Sequence, residues 1–340
     1  MRVVAPGSTQ EAAALLSEAA AGRQTVTLRG QGTKRDWGVP PPPADLVVET
    51  GNLTGIVEHA ASDLVVVVRA GTLMRGLQHA LSLAGQQLAL DEPVPGASVG
   101  GTVAANTSGP RRLAYGTVRD LLIGVTIVRP DGVVARAGGK VVKNVAGYDL
   151  CKLFTGSFGS LGLITECAFR LHPLPRHRFF VSGRAPSATA IEVDAPGGEV
   201  ISLLERPFEG GRETAPLWWG KYPWEPGGTG VKLTCALSKV DRIIAEARPP
   251  LTIRGSAGTG VLYAGLPGSI DPREAVQAVA RLRMAAHEAG GHAVVVTAPP
   301  LVRQLVDMWG PVPGLDIMRR IKALFDPDAR FARGTFVGGI

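Results

Sequence analysis

PGASVGGTVAANTSG, residues 95–109, is the stretch on which the reading of this chain turns. It carries no large side chain and runs into a helix-compatible segment. A backbone stripped in this way can pass close to a ligand and turn its amides toward phosphate oxygens. It has an earlier counterpart. Residues 29–34 read RGQGTK, a glycine turn after a short strand expected over 25–28. Two such loops in one chain point to a cofactor whose pyrophosphate is held between them.

Upstream of the long loop, the pattern gives a helix over 11–21 and strands over 46–49, 64–69 and 87–90. The run LVVVVR at 64–69 is continuously apolar, as in a strand buried on both faces. Leu73, Leu77, Ala80, Leu81 and Ala84 share one face of a helix over 73–84. Residues 52–57 read as a turn entering a short segment. This β-α-β alternation marks a small α/β lobe over 1–92.

Downstream, strands over 122–129 and 133–137 flank the turn Pro130-Asp131-Gly132, a hairpin. A short helix over 149–154 and a strand over 161–171 complete a second lobe, 93–177. Pro173 and Pro175 then punctuate the chain. Beyond them come strands over 179–183, 199–204, 230–236, 260–265 and 293–297, and helices over 240–247, 271–289 and 317–325. Residues 207–229, rich in Gly, Pro and Trp, read as a loop. The expected fold class is α+β: a two-lobed domain over 1–177, then a smaller α+β cap domain over 178–340.

The composition suits an ordinary globular protein of 340 residues, 45% hydrophobic and 19% charged. No apolar run approaches the ~18 residues of a membrane span, and the N-terminus lacks the apolar core of a signal peptide. The expected location is the cytoplasm, with any attachment to the inner face of the membrane made through a complex. Cys151, Cys167 and Cys235 are scattered without a CxxC spacing, which excludes a cluster or Cys-type zinc site held by this chain alone. They are expected to be reduced and structural.

The net charge of +7 is concentrated in residues 101–180, which hold eleven Lys and Arg against four Asp and Glu. That excess favours an anionic ligand or partner. With 5% aromatic residues and no nucleic-acid motif, nucleic acid is not expected. A nicotinamide Rossmann domain is disfavoured too. Gly30-Gln31-Gly32 is followed by TKRDWG, so the third glycine is out of place and no long helix begins there.

Four segments in order carry a resemblance: RGQGTK (29–34), PGASVGGTVAANTSG (95–109), YGTVRDLLIGVTIVRPDG (115–132) and GGKVVKNVAGYDLCKLFTGSFGSLGLITE (138–166). Over about residues 1–175 the chain resembles the FAD-binding lobes of the vanillyl-alcohol oxidase / p-cresol methylhydroxylase (PCMH-type) flavoproteins. Within them, the string KNVAGYDLCKLFTGSFGSLG is most similar to the smaller of the FAD-binding subunit families of bacterial glycolate oxidase. The larger, catalytic subunits of those oxidases and the D-lactate dehydrogenases usually carry Glu in a GSEG motif; position 158 here is Phe. Their HxGDGNxH motif is missing from the second half. The tail resembles the family's FDP-then-NPG ending, with Ala332-Arg333-Gly334 in place of Asn-Pro-Gly.

The resemblance implies an FAD-dependent oxidoreductase acting on CH-OH groups, with FAD as cofactor and no metal. Arg29, Gly30, Gln31, Gly32, Thr33 and Lys34 would face Gly96, Ala97, Ser98, Val99, Gly100 and Gly101 across the pyrophosphate. Ser98 and Asn106 would bond phosphate or ribose, or else cap a helix and a turn. Gly109 would let the chain pass close to the flavin. Ile164 would meet a ring edge through its backbone, or else be a plain core residue. Covalent members often carry His where this chain has Thr33, so the FAD is expected to be non-covalent.

Lys140, Lys143 and Tyr148 are candidates for a place near the flavin, or for surface charge and packing. Trp218, Trp219, Tyr222 and Trp224 would cover the flavin, meet a partner or pack their own loop. His172 and His177 read as linker residues, and His287 and His292 flank the Gly290-Gly291 turn without a metal-ligand pair.

The implied function is the FAD-binding subunit of a glycolate oxidase-type complex, oxidising a 2-hydroxy acid (glycolate to glyoxylate). Its partners would be a larger FAD subunit and an iron–sulfur subunit that receives the electrons. A free-standing FAD-dependent 2-hydroxy acid dehydrogenase of D-lactate type and a non-catalytic scaffold remain as alternatives. No catalytic residue is assigned.

Overall fold

The chain is described by a computed structural model over residues 1–139 and 149–340. Lys140, Lys143 and Tyr148 fall outside the described residues.

The N-terminal element is a parallel sheet of order β1-β3-β2, with β1 (Arg2–Val4), β2 (Val26–Arg29) and β3 (Leu46–Glu49). Helix α1 (Thr9–Ala21) packs against it. Its start is fixed locally: Ser8 accepts from the Glu11 amide at 3.1 Å, and the Glu11 carboxylate accepts from the Gly7 amide at 2.9 Å. Ala12, Leu15, Leu16 and Ala19 recur at helical spacing and are buried with Val26, Leu46, Val48 and Phe331.

The second sheet has the order β4-β5-β9-β7-β8 and is antiparallel. Its strands are β4 (Ile56–Ala60), β5 (Val65–Arg69), β7 (Leu122–Val128), β8 (Val134–Gly138) and β9 (Leu163–Arg170). A two-stranded pair of β6 (Gln86–Gln87) and β10 (His172–Pro173) lies beside it. Helices α2 (Met74–Ser82), α3 (Val99–Ala105), α4 (Arg112–Tyr115), α5 (Val118–Leu121) and α6 (Leu150–Phe154) surround it. Val66 and Val68 of β5 share a core with Met74, Leu77, Val99, Val103 and Phe154, all at most 1% exposed. Each such side chain contributes about 1.5–3 kcal/mol by leaving water. The hairpin turn reaches α1: at Gly132 (φ +86°) a Cβ would lie 2.7 Å from the Ala13 carbonyl oxygen.

Because β5 pairs with β9, the five-stranded sheet takes strands from both sides of residue 92. The strand expected over 87–90 shrinks to Gln86–Gln87, as Gln78 bonds the carbonyls of Leu88 and Leu90 instead. The short segment after residue 55 is β4, whose partly exposed residues show no apolar run.

The third sheet is antiparallel with seven strands in the order β11-β13-β12-β15-β16-β14-β17. They are β11 (Phe179–Ser182), β12 (Ala190–Ala195), β13 (Glu199–Leu204), β14 (Thr229–Thr234), β15 (Thr252–Ser256), β16 (Val261–Leu266) and β17 (Ala293–Thr297). Helix α7 (Val240–Ile244) precedes β15, and α8 (Pro272–Glu288) lies against the sheet. Asp271 caps α8 by accepting from the Arg273 amide at 2.8 Å, with Pro272 in the first turn. Ala275, Ala278, Val279, Leu282, Ala285 and Ala286 form its buried face.

After α9 (Pro300–Leu305), the chain returns to the N-terminal part. In α10 (Leu315–Phe325) the buried Lys322 ammonium donates to Asp326 at 2.6 Å, to Ser160 O at 2.7 Å and to Phe331 O at 2.9 Å. Phe331, fully buried, bridges in parallel to Val26. The C-terminal segment therefore belongs by its packing to the first part, although it follows the seven-stranded sheet in sequence. No helix among the described residues is long and apolar enough to cross a membrane.

Candidate functional site

The two glycine loops face each other across a cavity of about 470 Å³, within the ~300–1,000 Å³ range of small-molecule sites. The first loop leaves the C-terminal end of β2, anchored by Arg29, whose Nε donates to Glu49 at 2.8 Å. The turn is made at Gly32 (φ +74°), in the left-handed region that only glycine enters freely. The second loop enters α3, where Ser98 accepts from the Gly101 amide at 3.3 Å.

The approach of the two loops depends on missing side chains. A Cβ on Gly30 would lie 2.7 Å from Ser98 Oγ, and one on Gly100 would lie 2.8 Å from the Ala70 Cβ. Gly96 stands against Thr33, with 3.9 Å between its would-be Cβ and the threonine methyl.

Among the described residues, none of the amides of Gly30, Gln31, Gly32, Thr33 and Lys34 donates to a protein acceptor. Unpartnered amides cost free energy unless water or a ligand takes them. Five in sequence around a glycine turn form a cradle for a polyanion. Lys34 adds a cation. Burial lowers its ammonium to about 8, and Glu92 nearby opposes that only in part. This donor set fits the pyrophosphate of FAD.

Of the residues expected from sequence, Arg29, Gly30, Gln31, Gly32, Thr33, Lys34, Ser98, Gly100, Gly101 and Ile164 line this cavity. Ile164 does so from β9, at 6% exposure. Ala97 and Val99 are buried in the core behind it. Asn106 caps the end of α3 in the left-handed region (φ 49°), and its Oδ1 is buried without a partner. Gly109 lies instead against Asp91, in the wall of a second cleft.

The cavity has further walls that the loop motifs did not announce: Trp37, Pro41, Pro42 and Pro43, Phe158 and Gly159, and Ala332 and Thr335 from the tail. Phe158 sits at φ 53°, an unfavourable place for a bulky residue. It is held there by edge contact with Trp309 and by Phe336, both at 5.6 Å between ring centroids. The departures at Phe158 and at Ala332 were the available signals.

The aromatic loop packs inward. Trp218 and Trp219 lie on the small core of Phe180, Ile201 and Leu203. Tyr222 stacks on Trp224 at 4.5 Å and meets Trp37 at 5.8 Å, joining the cavity wall to the second cleft. Cys151 and Cys167 are buried and Cys235 half-buried, all three free. Burial raises the Cys151 thiol to about 11, so it is inert at neutral pH.

Comparison with known proteins agrees with this geometry. The FAD binding domain family matches residues 1–138. The chain is 32% identical to glycolate oxidase subunit GlcE of Escherichia coli over 229 residues, covering 60% of this chain and 65% of that one. It is 34% identical to glycolate oxidase subunit GlcD of Bacillus subtilis, covering 51% and 37%. It is 36% identical to a D-lactate dehydrogenase of Archaeoglobus fulgidus, covering 51% and 39%. The matched region spans less than two thirds of each relative's own length. The FAD binding domain match over residues 1–138 takes in both glycine loops, and the chain is similar to GlcE beyond them.

Proposed function

We propose that the chain is the FAD-binding subunit of a glycolate oxidase-type complex and takes part in oxidising a small 2-hydroxy acid, glycolate to glyoxylate. The observation that carries the reading is the pair of facing glycine loops with five unpartnered amides, in a chain similar to GlcE. Bound FAD supplies the two-electron acceptor for the α-carbon hydride.

The residues of this chain bind and orient that group. The amides of Gly30, Gln31, Gly32, Thr33 and Lys34 and the Lys34 ammonium hold the pyrophosphate. Gly96, Gly100 and Gly101 keep the opposite wall close. Ser98 and Asn106 shape the ends of α3, and Gly109 keeps the following loop tight on Asp91. Ile164 and Phe158 close the cavity against water. Thr33 lacks the imidazole that the resemblance associates with covalent attachment, so the FAD is held without a covalent bond.

The electrons leave to an iron–sulfur subunit, with a larger FAD subunit as the second partner. We assign residues 1–177 as the FAD-binding domain and 178–340 as the cap, with the 315–340 segment docked back on the former. We also propose that the complex works in the cytoplasm, with any attachment to the inner face of the membrane made through it. The test is anaerobic addition of glycolate to the complex co-purified with its partners. Bleaching of the visible flavin band supports the reading. An unchanged spectrum in a flavin-replete complex refutes it. Dye reduction by the isolated chain would instead favour the free-standing dehydrogenase.

A further inference from the structure

Among the described residues, none from 178–314 lines the cavity of the glycine loops; its walls come from residues 1–164 and from the tail. The seven-stranded sheet and its helices nevertheless grip the chain directly behind the first loop. Arg303 on α9 donates through Nη2 to Asp36 O at 2.8 Å. The Gly38 amide donates to Val296 O on β17 at 2.8 Å. Trp37 meets Tyr222 edge-on at 5.8 Å. Gly38 also lies against Trp309, whose ring would stand 3.0 Å from a Cβ at that position.

Short turns tie this grip to the amide cradle. The Arg35 amide donates to Gly32 O at 3.3 Å, and the Trp37 amide donates to Lys34 O at 3.2 Å. The turns overlap, so residues 32–37 form one stiff unit. Unpartnered amides lie at one end of it and the gripped segment at the other. Trp37 spans both, lining the cavity while it touches Tyr222.

A loop built on Gly30 and Gly32 has more backbone freedom to lose than any other. That loss opposes every ligand the loop must order around. Holding the loop in its bound shape beforehand removes the cost from binding. Arg303 is placed to do so. Its Nε is buried without a partner, and its Nη2 is fixed on a backbone carbonyl of the segment behind the cradle. A charged donor makes that bond stronger than a neutral one would.

We propose that Arg303 is a positioning residue for FAD. With Val296 O and Trp309 it holds residues 36–38, and through the overlapping turns it presets the amides of Gly30 to Lys34 for the pyrophosphate. The coupling is reciprocal: FAD in the cradle tightens the hold of β17 and α9 on this segment. The inference rests on the proposal that the 29–34 loop takes the pyrophosphate.

The test is FAD titration of the full chain stripped of flavin, read by quenching of flavin fluorescence, together with amide hydrogen exchange with and without FAD. In wild type, FAD should slow exchange over residues 36–38 and 293–305. β11, at the opposite edge of the same sheet, should change less and serves as the internal reference. Arg303→Met should weaken FAD about 5- to 150-fold, the usual range of coupling between sites, and lose the FAD-dependent slowing over 293–305. Arg303→Lys, which keeps a charged donor, should recover most of the affinity. An Arg303 that only supports the fold would lower the urea midpoint equally with and without FAD and leave affinity and exchange at wild-type values; that result overturns the proposal. Should Arg303→Met not fold, Gly38→Ala puts a Cβ against Trp309 at φ +68° without altering a residue that lines the cavity. It should lower the affinity too, and wild-type affinity there overturns the proposal equally. Lys34→Met separates the two claims. Affinity lost in Lys34→Met but kept in Arg303→Met overturns the positioning role and leaves the loop as the pyrophosphate site. Affinity kept in both overturns both.

Discussion

Replacing Glu192 by Gln stabilises the protein, and the gain grows with pH. The carboxyl ordinarily titrates at 4.5 and does so at about 8 in the fold, because burial penalises its charged form more than Arg112 favours it, with Asp91 adding to the rise. Below pH 4.5 folded and unfolded chains both hold the proton, and stability is unaffected. Between 4.5 and 8 the unfolded chain releases a proton that the folded chain keeps, so each step up in pH favours unfolding. Above about 8 the loss is complete. At about 1.4 kcal/mol per pH unit, it reaches roughly 5 kcal/mol. At 6% exposure, solvent screening removes little of this. A glutamine at this position has no such proton to lose, so the variant escapes the penalty. Urea melts of wild type and Glu192→Gln, both saturated with FAD, from about pH 5 to about pH 8 read the effect. The two midpoints should nearly converge at the acid end, with the variant well above wild type at the alkaline end. Parallel profiles, or a wild type that gains on the variant as pH rises, would refute the reasoning.

Lys34→Met should weaken FAD about 10- to 100-fold by removing a charge-assisted donor. Because the Lys34 ammonium is held at about 8, wild-type affinity should fall above that pH while the variant's stays flat, as fluorescence quenching of added FAD would show. Gly100→Ala puts a Cβ 2.8 Å from that of Ala70; a loss of about 1–3 kcal/mol, with reduced flavin content on purification, is expected in denaturant melts. Lys322→Met leaves the Asp326 carboxylate, 1% exposed, without its cation and should cost about 3–5 kcal/mol, seen as a lowered urea midpoint.

Local pattern made part of this architecture legible. The strands at 46–49, 199–204 and 293–297 have the bounds expected of them, because each is an apolar run between clear turn residues. β1 and β4 left little local trace: β1 is three residues long, and β4 is partly exposed throughout. β12 places the acidic Glu192 among its buried positions, which breaks the expected alternation. That one sheet draws strands from both sides of residue 92 was invisible for another reason. The pairing of β5 with β9 joins Val66 to Phe169, a contact that no window of sequence contains.

The same division holds at the site. Gly30, Gly32 and Gly100 announce themselves because a tight turn or a close approach demands glycine. Pro41, Trp37 and Thr335 reach the cavity only through tertiary packing.

The central claim is that the loops at 29–34 and 95–101 hold FAD without a covalent bond. Acid precipitation of the purified protein, followed by flavin measurement in pellet and supernatant, tests it most directly. The account predicts a colourless pellet and stoichiometric FAD in the supernatant, with apoprotein that takes FAD back up. A pellet that stays yellow, or a folded chain that neither contains nor takes up FAD, would contradict it.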